Sequence, residues 1–237
     1  MNWSHHRLLV IAPHPDDEAI GCGGLISRVK LDGGQIFVLW MTIADIRDYS
    51  AAGLSTADQR QSEMAHAAAF WPLDGTHLAL PGDRYNLRLD TVPAAELIDI
   101  IERGNHPLTL AAVKPTVVAV PDPDSYNQDH AAVGTAAISA LRPGPDTYRH
   151  QPDLVLAYEE VGDPWTRNPA HPTANFFVSL TPTDLNRKIK GLRLHASQWR
   201  PHPHTRSEHA LRGLAAVRGA QSGTMFAEAF RCLRWRA

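Results

Sequence analysis

Cysteine is nearly absent: only Cys22 and Cys232 occur in 237 residues, far apart and with no C-x-x-C spacing. A thiolate zinc site and a disulfide scaffold are thereby disfavoured, and a reducing compartment fits. Long apolar runs are missing too, since no stretch approaches the ~20 residues that cross a bilayer. The opening residues lack the basic region, apolar core and cleavage site of a secretory signal. The expectation is a cytoplasmic protein with no membrane span. An excess of charge of one sign is also lacking: 23 Lys plus Arg against 25 Asp plus Glu leave a net charge of -2, which argues against a nucleic-acid partner. A chain of this length buries about 70% of its unfolded surface and needs no metal to hold its core, so any metal here serves function. Residues 1–237 read as one domain.

The apolar pattern alternates between strand and helix. Residues 7–11 form a short β-branched run, followed by a Pro-containing turn, a helical pattern to Leu31 and a stop at Gly33 and Gly34. Residues 35–44 then read as a second buried strand, so the chain opens with a parallel β-α-β unit. Helices are predicted over 56–71, 92–103, 130–141, 183–199 and 208–220, and strands over 116–120, 154–158 and 175–180. The predicted fold is a Rossmann-like three-layer α/β arrangement, with helices on both faces of a mostly parallel sheet. Such sheets place functional loops at the carboxyl ends of their strands.

The sharpest local feature lies at the end of the first strand, where His14, Asp16, Asp17 and Glu18 crowd into five positions. A His and a carboxylate three residues on can reach one cation from a single turn. Imidazole plus carboxylate without cysteine is the chemistry of an open catalytic zinc site. The plainer alternative is an acidic helix cap with an incidental histidine. A third ligand must come from elsewhere, and His130, just past the strand at 116–120, sits on the same rim as His14. His195 is the rival for that place.

These residues resemble the PIG-L/LmbE-like family of metal-dependent N-deacetylases. The family's His-Pro-Asp-Asp-Glu motif with its Gly-rich helix start matches residues 13–18 and Gly21, Gly23 and Gly24. Thr42 to Asp45 falls where the family has a Thr-x-Gly-Glu loop, Arg60 and Glu63 fit an Arg-x-x-Glu helix, and residues 195–198 fit a C-terminal Ser-Gln segment. The resemblance implies Zn2+ on His14, Asp17 and His130, with Fe2+ or Co2+ as alternatives, and Asp16 as general base. It also implies a small-molecule or glycan substrate carrying an N-acetylated amino sugar, and a homo-oligomer.

One departure stands out. Many members carry His-Pro-Asp-His before the third ligand, whereas this chain has Asn127, Gln128, Asp129 and His130. An amide can donate a hydrogen bond to a developing oxyanion but cannot shuttle a proton. Asn127 is therefore expected to steady the oxyanion, while Asp16 serves as both base and acid. Arg60, Asp45 and His195 are the expected substrate contacts, although Arg60 reads equally as a surface residue paired with Glu63. Glu18 and Asp129 are expected behind the ligands. Trp71, Trp165 and Trp199 offer a sugar-stacking wall, against the alternative of core packing. Two other functions remain in view: an amidase for a non-sugar or thiol-conjugate amide, and a glycan binder without turnover.

Overall fold

The computed structural model describes residues 1–47, 53–165 and 174–236. In chain order the elements are β1 (Arg7–Ala12), α1 (Asp17–Leu31), β2 (Gln35–Ile43), the short β3 (Ile46–Arg47) and β4 (Leu54–Ser55), α2 (Ala57–Phe70) and β5 (Gly75–Pro81). A 3-10 turn (Leu89–Thr91) leads to α3 (Ala94–Glu102), α4 (Leu110–Val113), β6 (Val117–Pro121), α5 (Gln128–Ala140), β7 (Leu154–Tyr158), β8 (Phe176–Leu180), α6 (Pro182–Leu194), α7 (Glu208–Ser222) and β9 (Phe226–Trp235).

Seven strands form one sheet in the order β5-β2-β1-β6-β7-β9-β8. The first five run parallel, and β9 pairs antiparallel with both β7 and β8. Alternation along β1 explains the layers. Leu8, Val10 and Ala12 join the apolar cluster formed with α1, α2, α6 and α7, while Leu9 and Ile11 join the one formed with α3, α4 and α5. A strand covered on both faces reads as an unbroken apolar run, which is how the sequence shows it. The predicted three-layer α/β fold is thus the observed one.

Besides the two-residue β3 and β4, two strands of the seven-stranded sheet escape the periodicity. β5 is a half-buried edge strand containing His77, and β9 is interrupted by Glu228, Arg231 and Arg234. Helix α6 begins at a capping box of Thr181 and Asp184 with Pro182 in its first turn, but ends at Leu194 rather than 199.

Helix α1 lies unusually close to the C-terminal part of the sheet. A Cβ on Gly21 would stand 2.3 Å from the Tyr158 ring, and one on Gly24 2.6 Å from Leu180. Beneath it, the buried Glu228 carboxylate accepts from the Gly24 and Leu25 amides at 2.7 and 2.6 Å and from Lys188 Nζ at 2.6 Å. Among the described residues, no helix is long and apolar enough to cross a membrane.

Candidate metal centre and active site

The chain moves outward from β1 to β2 and β5, then returns across β1 to lay down β6 on its other side. The strand order therefore reverses between β1 and β6, and the crevice at their carboxyl ends is where an open α/β sheet receives ligands. His14 follows β1 directly, and His130 sits in the first turn of α5, just beyond β6.

The two imidazole centroids are 5.6 Å apart. Asp17 Oδ2 lies between them, 3.4 Å from His14 Nδ1 and 3.2 Å from His130 Nε2. Tetrahedral ligands with bonds of ~2.0–2.1 Å sit roughly 3.4 Å from one another, so this spacing suits one divalent ion. All three side chains are buried, and their ligand atoms lie within 4.8 Å of one another.

The far sides of both rings are also engaged. His14 Nε2 is 2.8 Å from Asp129 Oδ2, and a carboxylate there only accepts, which leaves Nδ1 as the lone-pair nitrogen facing Asp17. Asp129 is itself fixed by the Leu89 amide on its other oxygen, at 2.9 Å. His130 Nδ1 lies 3.6 Å from Glu160 Oε1, just after β7.

Among the protein groups alone, these contacts shift the titrations strongly. Burial lowers the His130 pKa, but the Asp17 and Glu160 carboxylates outweigh it and push it up to about 10. Burial likewise works against the charged form of Asp17, yet His130 and His14 hold its carboxyl well below the usual range. Neighbouring Asp16 goes the other way: burial pushes it up, with Arg206 opposing. Two adjacent carboxylates are thereby split, one held ionised by imidazoles and one free to exchange a proton.

Asp16 is the N-cap of α1, with φ at 117°. That is left-handed backbone, costly for a non-glycine residue and typical of functional sites. Several contacts hold it: Glu18 Oε2 accepts from the Asp16 amide at 3.1 Å and from Trp40 Nε1 at 2.8 Å. The preceding loop is tied to β2 by the Thr42 amide on the Pro13 carbonyl, 3.0 Å. Neither oxygen of Asp16 accepts a hydrogen bond among the described residues; its ion contact is Arg206 Nε, 3.2 Å from Oδ2.

The remaining expected residues are distributed differently. Glu18 supports Asp16 rather than a metal ligand, and its Oε1 pairs at 2.7 Å with His195 Nε2. His195 is completely buried and stands outside the His14, Asp17 and His130 cluster, so it is not the rival third ligand, and it is not among the residues that line the pocket beside His130. Arg60 is 3% exposed, not a surface residue, and donates to the Pro15 carbonyl at 3.4 Å. Glu63 bonds Ser197 instead, through its amide at 2.9 Å and hydroxyl at 2.7 Å. Asp45 is exposed and accepts from the Ala57 amide at the start of α2, 2.7 Å away. Trp71 is core, packed on Gly191, whereas Trp165 is exposed.

Asn127 caps α5: its side-chain oxygen accepts from the Asp129 amide at 3.0 Å, leaving the NH2 as its group for the pocket it lines. That pocket, about 310 Å3, opens beside His130. Sequence reasoning misses Glu160 and Arg206. Glu160 carries a usable signal, since it closely follows a predicted strand on the site's rim. Arg206 sits in a Pro/His-rich loop and carries none.

An α/β crevice holding two imidazoles and a carboxylate, beside a second buried carboxylate paired with Arg206, has the donor set of a metal-dependent hydrolase. The chain belongs to the PIG-L family, whose model, described as GlcNAc-PI de-N-acetylase, matches residues 9–141. It is 26% identical over 235 residues to a diacetylchitobiose deacetylase of Thermococcus kodakarensis, covering 95% of this chain and 82% of the relative. It is 27% identical over 237 residues to a 1D-myo-inositol 2-acetamido-2-deoxy-alpha-D-glucopyranoside deacetylase of Rhodococcus erythropolis, covering 86% and 71%. The fold superposes on a conserved protein of Thermus thermophilus with a TM-score of 0.72 at 23% identity, over 98% of this chain and 96% of that one. The protein is an N-deacetylase.

Proposed function

We propose that the whole chain acts as one zinc-dependent deacetylase domain that removes an N-acetyl group from a small amino-sugar compound. The observation that carries this reading is the convergence of His14, Asp17 and His130 within metal-ligand spacing, beside a buried Asp16 whose oxygens accept no hydrogen bond among the described residues. His14 Nδ1, Asp17 and His130 Nε2 would hold the ion, which when bound polarises a carbonyl and lowers the pKa of water toward ~7. Zinc suits this nitrogen and oxygen donor set, and Fe2+ or Co2+ fit it too.

The side chains then divide the work. Asp16 accepts a proton from the attacking water, the Asn127 NH2 donates to the developing oxyanion, and Asp16 returns the proton to the leaving nitrogen as the C–N bond breaks. Acetate and a free amine leave. Asp129 and Glu160 orient the two imidazoles from behind. Glu18, bonded to the Asp16 amide, keeps the base in its strained position. Unpaired Cys22 and Cys232 support a cytoplasmic setting.

Acetate release by the zinc-loaded protein tests the proposal, with N,N'-diacetylchitobiose and the inositol glycoside named above set against non-sugar N-acetyl amides. Release from the sugars is expected. Release from the non-sugar amides alone would make the protein a different amidase, and tight sugar binding without release would make it a binder.

A further inference from the structure

An aspartate at a helix N-cap ordinarily turns its side chain inward and accepts from the first amides of its own helix. Asp16, at the N-cap of α1, does not: its backbone is left-handed, with φ at 117°, and its side chain makes no cap hydrogen bond. The Ala19 amide, the usual target of such a cap, bonds the Asp16 carbonyl instead, at 3.0 Å. The left-handed turn therefore keeps the carboxylate clear of α1 and free for chemistry. Such a backbone conformation persists only where its surroundings enforce it.

The Glu18 carboxylate is what enforces it here. Its Oε2 accepts from the Asp16 amide at 3.1 Å and from Trp40 Nε1 at 2.8 Å, and its Oε1 accepts from His195 Nε2 at 2.7 Å. The Glu18 and His195 side chains are both completely buried, and among the described residues no lysine or arginine pairs with Glu18. A carboxylate taken out of water needs donors on both of its oxygens. His195 is the one donor to Oε1 among the described residues, and its Nδ1 has no hydrogen-bond partner there, so the ring is committed to Glu18 alone. We propose that His195 is a positioning residue for the reaction: through Glu18 it holds Asp16 in the left-handed turn that stops the general base from capping its own helix. The inference rests on the deacetylase reading above, in which Asp16 is the base, and extends the hold on that base to a side chain at the end of α6.

The test uses the full-length, zinc-loaded protein. His195→Leu removes the donor to Glu18 and should lower kcat for N,N'-diacetylchitobiose about 10- to 100-fold, the effect of a misplaced catalytic group, with KM held within about twofold. Metal analysis should still find one zinc per chain. His195→Gln, whose amide nitrogen can donate to the same oxygen, should recover most of the lost kcat. His195→Asn, polar but too short to reach Glu18, should be as slow as the Leu variant and takes its place if that variant does not fold. In an Asp16→Ala background the Leu substitution should have no further effect, because no base is left to place. Unchanged kcat in a folded, zinc-loaded Leu or Asn variant, a Gln variant as slow as either, or an equal loss in the Asp16→Ala background overturns the proposal. Should the unaltered protein release no acetate, the deacetylase reading fails separately. A crystal structure of the Leu or Asn variant then decides the inference: Asp16 out of the left-handed region with its carboxylate on the Ala19 amide supports it, and an unmoved Asp16 overturns it.

Discussion

The parallel strands β1 and β6 deliver the candidate metal ligands and the proposed general base, whereas the antiparallel β8 and β9, with α6 and α7, deliver none of them. The C-terminal flank supplies supports and walls instead: Tyr158 and Glu228 against α1, His195 behind Glu18, and Arg200 and Arg206 around the pocket. The difference teaches that the candidate metal ligands come from one stretch of sequence, while the side chains that brace them and line the pocket come from both. The family match over residues 9–141 coincides with the first of them. One fold can then change substrates through its pocket-lining loops while its ligand set stays fixed.

Removing a ligand breaks the first region most completely. His130→Ala should lose stoichiometric zinc and all measurable acetate release, as read by metal analysis and assay; a variant that keeps both would remove His130 from the centre. Next comes Asp16→Ala, which should retain zinc yet lose on the order of 10²–10⁴ in kcat, the usual worth of a positioned proton-transfer group. Full activity in a zinc-loaded Asp16→Ala protein would contradict the assignment of the base.

Apart from His195, the second region should respond in stability rather than chemistry. Lys188→Ala leaves the Glu228 carboxylate buried without its cation, and breaking such a pair costs about 3–5 kcal/mol. Urea unfolding measures this, and a loss under about 1 kcal/mol would show that the two α1 amides alone satisfy Glu228. Smaller still, Asp129→Ala should weaken zinc binding about 10- to 100-fold by freeing the His14 ring, without removing a ligand. Competition with a chelator reads the change.

The pH dependence of metal binding sharpens the same point. With its pKa pushed up to about 10 in the metal-free protein, His130 holds a proton near neutrality that the ion must displace. Zinc affinity should therefore rise with pH between about 6 and 8, by up to tenfold per unit for each proton released. Affinity that is flat or falling over that range would mean that His130 binds the ion without proton release.

How much of this is legible in the sequence follows the same division. His14, Asp17 and His130 can be found because each follows, in the loop or the first turn of the next helix, a buried strand whose apolar run is unbroken. Strand β9 hides because Glu228 and Arg231 interrupt its pattern, and those residues are polar for reasons visible only in three dimensions: one binds α1 and the other bonds Asp122 and Asp124. Arg60 and His195 look like substrate contacts in one dimension. Their burial comes from α2 and the segment after α6 closing over the motif, and periodicity carries no information about that closure.

Zinc titration of chelator-stripped protein, followed by acetate release from N,N'-diacetylchitobiose, tests the central claim most directly. Activity should be absent in the stripped protein, rise linearly with added zinc and level off at one ion per chain. Acetate release that survives stripping, or that shows no break near one equivalent, would contradict a single ion shared by His14, Asp17 and His130.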